Sequence, residues 1–313
     1  MSVVRVAFMG TPEFAEYHLK QLYADQHYKV VGVVSQPDRK QGRKLKLTPS
    51  PVKQLALEHE TPVITPDKFN NPEAFETVAS WAPEVIIVVA YGQIISSKFL
   101  KMFDQKVVNV HASLLPRWRG AAPIQRSIIE GDIETGVCLQ VMKKKLDAGD
   151  VIGERKLSIS DDLNAIDLHD RLKVMGADLL YVELMDYIRG NLTPVEQDEQ
   201  FITYAEKLLK TESLINWQLP AKKIHNLIRG MQLGPGTHTI FQGSKIKIHK
   251  TKVIETESDG PGYVRESESN ELIIGCGENA LQVLLIQPES RARMETAEFL
   301  KGHPIQKGEI FGE

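Results

Sequence analysis

The sequence predicts an α/β domain built on a mostly parallel sheet, followed by a small domain of antiparallel strands. In the first half, short runs rich in valine and isoleucine alternate with longer helix-like stretches, which is typical of a parallel sheet covered by helices on both faces. Beyond about residue 205, short strands separated by turn residues indicate a small β-barrel instead. A length of 313 residues also favours two domains.

The first domain is predicted to span residues 1–189. Its strands are the apolar runs at residues 3–8, 30–34, 85–90, 107–110 and 137–142, and its helices include residues 12–23 and 51–60. A long amphipathic stretch at 162–189 follows helical spacing and closes this domain. Thr11 is expected to cap a helix that begins at Pro12, since the segment lacks the spacing of a phosphate-binding loop.

A polar segment at residues 190–205 breaks the helical pattern and is predicted to be a linker. The second domain then covers residues 206–313. It is expected to contain one helix at 221–231 and strands at 238–241, 245–254, 263–264, 271–274 and 280–287. In the second of these strands, lysines should lie on one face and isoleucines on the other.

Composition excludes several classes of protein. The formal net charge is -3, so any contact with nucleic acid must come from local basic patches. Cys138 and Cys276 lie far apart and form no CxxC unit, which disfavours a disulfide framework or a zinc site. The apolar run at the start is too short to span a membrane and lacks a cleavage site, so we expect a cytoplasmic protein. Nothing in the sequence demands an oligomer, and a monomer is expected.

A pair of polar side chains ends one of the predicted strands. Asn109 and His111 are two residues apart, so in a strand both point to the same face. Ligands of parallel sheets bind beyond the carboxyl ends of the strands, where this pair falls. An amide and an imidazole side by side can hold the oxygen of a carbonyl under attack, and Asp147 can orient the imidazole and handle protons. The pattern indicates acyl transfer without a covalent nucleophile.

Six short segments carry a resemblance to a known family. They are GTPEFA at 10–15, PSPVK at 49–53, NVH at 109–111, SLLP at 113–116, RGAAP at 119–123 and LDAGD at 146–150. In this order they resemble the 10-formyltetrahydrofolate-dependent formyltransferases over nearly the full chain, and among them those that act on charged initiator tRNA. The resemblance implies a Rossmann-like formyltransferase domain, an OB-like C-terminal domain, 10-formyltetrahydrofolate as co-substrate, and no metal.

The resemblance also implies roles for individual residues. The α-amine of methionine on initiator tRNA would attack the formyl carbon carried on N10 of the folate. Asn109 and His111 would donate hydrogen bonds to the oxyanion that forms, and Asp147 would hold the imidazole and assist removal of the amine proton. Asp150 is expected to shape the turn. The segments implied for the folate pocket are Ser113, Leu114, Leu115 and Pro116, together with Tyr91, Gly92, Gln93 and Ile94.

A basic run follows the second predicted strand. Against the single acid Asp38 it contains Arg39, Lys40, Arg43, Lys44, Lys46 and Lys53. We interpret it as a mobile loop that grips the acceptor end of tRNA, because it should emerge on the active-site side. The residues expected to bind tRNA are Arg43, which matches an arginine of the family, with Lys44, Lys46, Lys207 and Lys210. The turn at 232–236 departs from the family's usual pattern.

Two alternatives remain open. The same catalytic core serves formyltransferases that act on small amines, such as glycinamide ribonucleotide or amino sugars, and the catalytic trio does not separate these. The basic loop and the lysines of the second domain favour tRNA. The other alternative is a nucleic-acid-binding protein that has lost catalysis, against which the intact set of Asn109, His111 and Asp147 argues.

Overall fold

A computed structural model describes residues 3–41, 45–265 and 271–312. The chain divides into two compact units. The first contains Met1–Gly120, Thr135–Leu157 and His169–Tyr204, and the second contains Ala121–Glu134, Ser158–Leu168 and Ala205–Glu313. The sequence-derived boundaries at residues 189 and 205 stay a prediction.

The secondary structure alternates strands and helices in the first half and is mostly strands in the second. The strands are β1 (Val4–Gly10), β2 (Tyr28–Val34), β3 (Arg39–Gln41), β4 (Lys46–Thr48), β5 (Val63–Ile64), β6 (Val85–Val89), β7 (Val107–His111), β8 (Arg119–Gly120), β9 (Glu134–Val141), β10 (Val151–Ser158), β11 (Tyr204–Ala205), β12 (Thr237–Phe241), β13 (Ser244–Ile254), β14 (Leu272–Gly275), β15 (Ala280–Pro288) and β16 (Met294–Glu295). The α-helices are α1 (Glu13–Ala24), α2 (Pro51–Glu58), α3 (Pro72–Ser80), α4 (Ser97–Met102), α5 (Pro123–Glu130), α6 (Ala165–Ile188), α7 (Ala221–Gly230) and α8 (Thr296–Gly302).

A seven-stranded sheet forms the centre of the first unit, in the order β10-β9-β7-β6-β1-β2-β5. The pairs β1–β2, β1–β6, β6–β7 and β2–β5 are parallel, and β7–β9 is antiparallel. The chain runs outward from β1 through β2 to β5 and then returns to place β6 on the other side of β1. Such a reversal opens a crevice at the carboxyl ends of the strands. The predicted parallel sheet is confirmed.

The central strands are buried on both faces. All five residues of β6 and all five of β7 are buried, because helices cover the sheet on each side. One core cluster joins Met9, Ile86 and Val88 of the strands to Phe75 and Phe99 of the helices. Each such side chain contributes about 1.5–3 kcal/mol on burial. Valine and isoleucine runs therefore fix the position of the polar residues at the strand ends.

The start of α1 differs from the expectation for Thr11. The helix begins at Glu13, and Pro12 occupies the N-cap position. No N-cap side chain accepts a hydrogen bond from the backbone N–H groups of the first turn. The Thr11 hydroxyl instead donates to the carbonyl of Tyr91 at 2.9 Å. This bond joins the segments that follow β1 and β6 at the edge where ligands bind in such sheets.

The second unit is built on an antiparallel sheet, as predicted. Its order is β12-β13-β15-β14, and β16 pairs with β15. Ile246 and Ile248 of β13 are buried, whereas Lys245 and Lys247 are exposed, so the expected alternation is confirmed. Phe241 stacks on Phe311 with ring centroids 4.3 Å apart in the core of this unit.

Two short strands lie in the basic segment after β2, for which a loop was expected. Arg39–Gln41 and Lys46–Thr48 pair as the antiparallel strands β3 and β4 of a hairpin. The carboxylate of Asp38, the acid of this segment, forms an ion pair with the ammonium group of Lys53 at 2.7 Å. Within the described parts of the chain, no helix combines the length and the apolar character needed to cross a membrane.

Candidate active site

Strand β7 brings Asn109 and His111 to one face of the sheet, as their spacing predicts. Both are buried, with 8% and 6% of their surface exposed. In the antiparallel pairing with β9, Asn109 lies opposite Gln140 and His111 lies opposite Cys138. Among the described residues, the Asn109 side-chain amide has no hydrogen-bond partner, so its donors and acceptor are available to a ligand.

The His111 ring is held from both sides. Its Nε2 lies 2.9 Å from the carbonyl oxygen of Trp118, which can only accept, so this nitrogen carries a proton. Its Nδ1 lies 3.7 Å from Oδ2 of Asp147, within ion-pair range but longer than a hydrogen bond. Nδ1 is therefore the ring nitrogen left to face the carboxylate and a substrate.

Two neutral donors hold the carboxylate of Asp147. Its Oδ2 accepts the backbone N–H of Gly120 at 2.9 Å, and its Oδ1 accepts Nε2 of Gln140 at 3.1 Å. Asp147 has a φ of 45°, in the left-handed region that aspartate tolerates better than most residues.

The loop that carries Asp147 is tied down by a second glutamine. Nε2 of Gln197 donates to the carbonyls of Asp147 and Gly149, at 2.9 and 2.6 Å. Its Oε1 accepts Nε and Nη2 of Arg119, which is almost fully buried. Asp150, the last residue of the motif, turns outward to an ion pair with Lys143 at 2.6 Å.

The Ser-Leu-Leu-Pro segment directly follows β7 and lies against β9. The Ser113 hydroxyl donates to the carbonyl of Arg117 at 2.7 Å, which closes the turn. The N–H of Leu115 points to Sγ of Cys138 at 3.3 Å. Leu114 and Pro116 keep part of their surface exposed, so this segment offers apolar surface beside Asn109 and His111.

The segment after β6 lies at the same edge of the sheet, because β6 pairs with both β1 and β7. Tyr91 is buried against Phe69, and burial raises the pKa of its hydroxyl far above the usual range. Gly92 has a φ of 84°, which favours glycine. The side-chain amide of Gln93 accepts a hydrogen bond from the N–H of Phe69 and donates one to the carbonyl of Pro66. Ile94, in contrast, is 85% exposed.

The structure describes three of the five residues expected to bind tRNA. Arg43 and Lys44 lie outside the described residues. Lys46 is exposed on β4 of the basic hairpin, and Lys207 and Lys210 are exposed in the second unit.

A cleft of about 310 Å³ opens beside the hairpin. Its walls come from the end of β1, the segment after β2, the hairpin and the start of α2, through residues that include Thr11, Gln36, Arg39, Thr48 and Ser50. The hairpin therefore lies at the carboxyl edge of the sheet, on the side where Asn109 and His111 end β7.

One group of side chains in the described part of the chain has metal-ligand spacing: Glu13, His169 and Asp170. The ammonium group of Lys173 bonds to both carboxylates of this group. The ammonium group of Lys173 thus supplies the positive charge at this position that a metal ion would otherwise bring.

Sequence reasoning missed the residues that support Asp147. Gln140 did carry a signal, since it is a polar residue in the apolar run 137–142. Gln197 lies 50 residues beyond Asp147 in a segment predicted to be a linker, and no local pattern reveals its role.

Comparisons with known proteins agree on one family. A family model described as formyl transferase matches residues 4–184, and one described as formyl transferase, C-terminal domain, matches residues 207–304. A methionyl-tRNA formyltransferase of Bdellovibrio bacteriovorus is 52% identical over 317 residues and covers all of both chains. The enzyme of the same name from Caldanaerobacter subterraneus is 44% identical, with 98% of this chain and 99% of the relative covered.

Solved structures share the fold at lower identity. A sugar 3N-formyltransferase crystallised with dTDP and 5-N-formyl-THF superposes with a TM-score of 0.68 at 19% identity, covering 93% of this chain and all of that one. A phosphoribosylglycinamide formyltransferase of Bacillus halodurans gives a TM-score of 0.51 at 21% identity, with 59% of this chain and 95% of that chain covered. At these identities the likeness concerns the fold alone.

Proposed function

The chain belongs to the formyl transferase family, and we propose on that premise that it formylates the α-amine of methionine carried on initiator tRNA. The formyl donor in this proposal is 10-formyltetrahydrofolate. The observation that carries the proposal is the full-length match to methionyl-tRNA formyltransferases, at 52% and 44% identity, which includes the second unit as well as the catalytic core.

In the proposed reaction the neutral amine attacks the formyl carbon. A nitrogen–carbon bond forms, the bond from that carbon to N10 of the folate breaks, and one proton passes from the amine to N10. The intermediate stage carries a negative oxygen. The unpaired amide of Asn109 can donate to this oxygen, because it is free of other hydrogen bonds to described residues and is held by a buried strand.

His111 and Asp147 form the second part of the proposed mechanism. With Nε2 bonded to the Trp118 carbonyl, Nδ1 is the nitrogen that can donate to the oxyanion or pass on a proton. A proton on Nδ1 makes the ring cationic, and the Asp147 carboxylate at 3.7 Å stabilises that charge. In this proposal Asp147 also accepts the amine proton, directly or through a water molecule.

The residues beside the pair suit a pterin. A pterin needs backbone donors and acceptors between apolar walls, and the Ser113–Pro116 turn and the Tyr91–Ile94 segment supply both. Lys46 of the hairpin and Lys207 and Lys210 of the second unit are exposed cations suited to tRNA phosphates. In this proposal the protein acts in the cytoplasm as a monomer, and the reaction requires neither a metal nor a membrane.

The test is formyl transfer to competing acceptors. Purified protein is incubated with 10-formyltetrahydrofolate and, in parallel, methionine charged on initiator tRNA, free methionine, glycinamide ribonucleotide or a nucleotide-linked amino sugar. Rapid transfer to the charged tRNA alone is expected. Transfer to a small amine instead would keep the catalytic trio and overturn the assignment of the acceptor. Absence of transfer to any acceptor would overturn the proposed enzyme.

A further inference from the structure

We propose that Gln140 is a positioning residue for Asp147, and that it holds the carboxylate in the orientation the formyl transfer needs. The inference rests on the proposed function, because it assigns Gln140 a part in that reaction. Gln140 lies on β9 directly opposite Asn109, and it acts through Asp147 rather than on the substrate.

Both ends of the Gln140 amide bond to the loop that carries Asp147. Nε2 donates to Oδ1 of Asp147 at 3.1 Å, and Oε1 accepts the backbone N–H of Gly149 at 3.2 Å. The side chain is 1% exposed, so water does not compete for these bonds. The amide therefore fixes the carboxylate relative to the backbone two residues further along.

The carboxylate needs this second contact. Oδ2 is anchored by the N–H of Gly120, but a single bond leaves the carboxylate plane free to turn about that oxygen. His111 does not fix it, since its Nδ1 stands 3.7 Å away. With Gln140 on Oδ1, each oxygen has its own donor and Oδ2 keeps facing the imidazole.

The surroundings of Gln140 argue against a merely structural amide. Its neighbours along β9, Leu139 and Val141, are buried apolar residues on the opposite face of the strand. A buried amide is costly unless its hydrogen bonds are made, and here both are made to the Asp147 loop. The polar residue is thus explained by what it holds.

Gln140→Met tests the proposal, because methionine keeps the length of the side chain and removes the donor. A misplaced catalytic group commonly costs up to about 100-fold in rate, so we expect kcat for formyl transfer to fall about 10- to 100-fold. The KM for 10-formyltetrahydrofolate should stay near the wild-type value. Thr135→Val is the matched control: Thr135 is buried on the same strand, and its hydroxyl bonds to no other described residue.

Gln140→Glu keeps an acceptor for Gly149 and guards against a variant that simply fails to fold. At high pH two carboxylates would face each other, whereas a shared proton at lower pH restores a donor to Asp147. The ratio of variant to wild-type kcat should therefore rise between about pH 8 and about pH 6. A flat ratio, or Gln140→Met with wild-type kcat, would overturn the inference. Inactive wild-type protein in the same assay would instead refute the proposed function.

Discussion

Gly149 determines how closely the Asp147 loop can approach the sheet. A Cβ atom at this position would lie 1.5 Å from the carbonyl oxygen of Val141, far inside any real contact. The φ of Gly149 is not in the left-handed region, so space rather than backbone conformation requires the glycine here. Packing at Gly149 thus sets the position of Asp147, two residues earlier.

Gly149→Ala should destabilise the protein and abolish most turnover. Relieving the overlap must move backbone, and we expect the free energy of unfolding to fall by about 3 kcal/mol, the upper range for overpacking. Denaturant unfolding and kcat measure the two effects. Gly302→Ala is the control, because a Cβ atom there meets nothing within 4 Å. Wild-type stability in Gly149→Ala would contradict the packing argument.

Asp147→Asn should remove turnover without removing folate binding. The amide keeps the size of the side chain but neither accepts a proton nor balances an imidazolium, and such acid–base groups contribute about 10²- to 10⁴-fold. His111→Ala should lose a comparable factor. Single-turnover transfer and folate titration measure the two properties.

Asp150→Asn is the matched control for Asp147→Asn. Asp150 belongs to the same loop, but its carboxylate pairs with Lys143 rather than facing His111. We expect activity near that of the wild type. Loss of folate binding in Asp147→Asn would show that the residue is architectural, and the proposed mechanism would then fail.

The residue-scale predictions from sequence succeeded where contacts are local. A strand period of two placed Asn109 and His111 on one face, because alternation in a strand is fixed by the backbone. The contacts of Asp147 could not be predicted from the sequence, because Gly120 and Gln197 approach it from distant parts of the chain. Such contacts depend on how loops pack, which leaves no periodic signal.

Among the elements, α1 and α6 meet through a buried histidine. His18 of α1 lies against Gly176 of α6, where an added Cβ would approach Nε2 to 2.7 Å. Its Nδ1 bonds to the carbonyl of Phe14 at 2.7 Å, and Nε2 has no partner among the described residues. Burial is the main reason that the pKa of His18 falls to about 4; the hydrogen bond to Phe14 opposes this shift, and the nearby ammonium of Lys173 adds to it.

Because of His18, the folded protein should become less stable as the pH falls. In the unfolded chain His18 takes up a proton near pH 6.5, whereas the folded protein resists protonation until about pH 4. The unfolded state therefore binds more protons in this window, and stability is lost as the pH falls through it. Between about pH 7 and about pH 5, the loss from His18 should be about 2 kcal/mol.

His18→Gln should remove that part of the pH dependence, which denaturant unfolding at the two pH values measures. His303→Gln is the control: His303 also approaches the carbonyl four residues before it and stacks on that phenylalanine, Phe299, but it is exposed. The control should keep the wild-type pH dependence. If His18→Gln lost as much stability as the wild type between these two pH values, His18 would be excluded as the source of the loss.

At the same scale, strongly patterned elements were predictable and short ones were not. The buried strands β1, β6 and β7 were evident from their valine and isoleucine runs. The hairpin of β3 and β4 was predicted as a loop, because its basic residues show no apolar alternation. Its strands are held by pairing with each other, not by burial.

For the whole molecule, a net charge of -3 limits how tRNA can be bound. Long-range attraction of a polyanion by the entire protein is excluded, so exposed lysines on separate surfaces must supply the phosphate contacts. Lys46 in the first unit and Lys207 and Lys210 in the second are the proposed contacts. Each phosphate neutralised releases condensed counterions, which makes binding depend on salt.

Replacing Lys207 and Lys210 together by alanine should weaken binding of charged tRNA and flatten its salt dependence. Each lost phosphate contact reduces the slope of log K against log salt by about 0.7–0.9, so the double variant should lose about 1.5. Lys46→Ala should lose about half as much, and folate affinity should not change in either. Lys301→Ala, which removes an exposed lysine paired with Glu298, is the control. If the slope of the double variant equalled that of the control, tRNA would bind elsewhere on the second unit, and Lys245 and Lys247 of the exposed face of β13 would become the residues to replace.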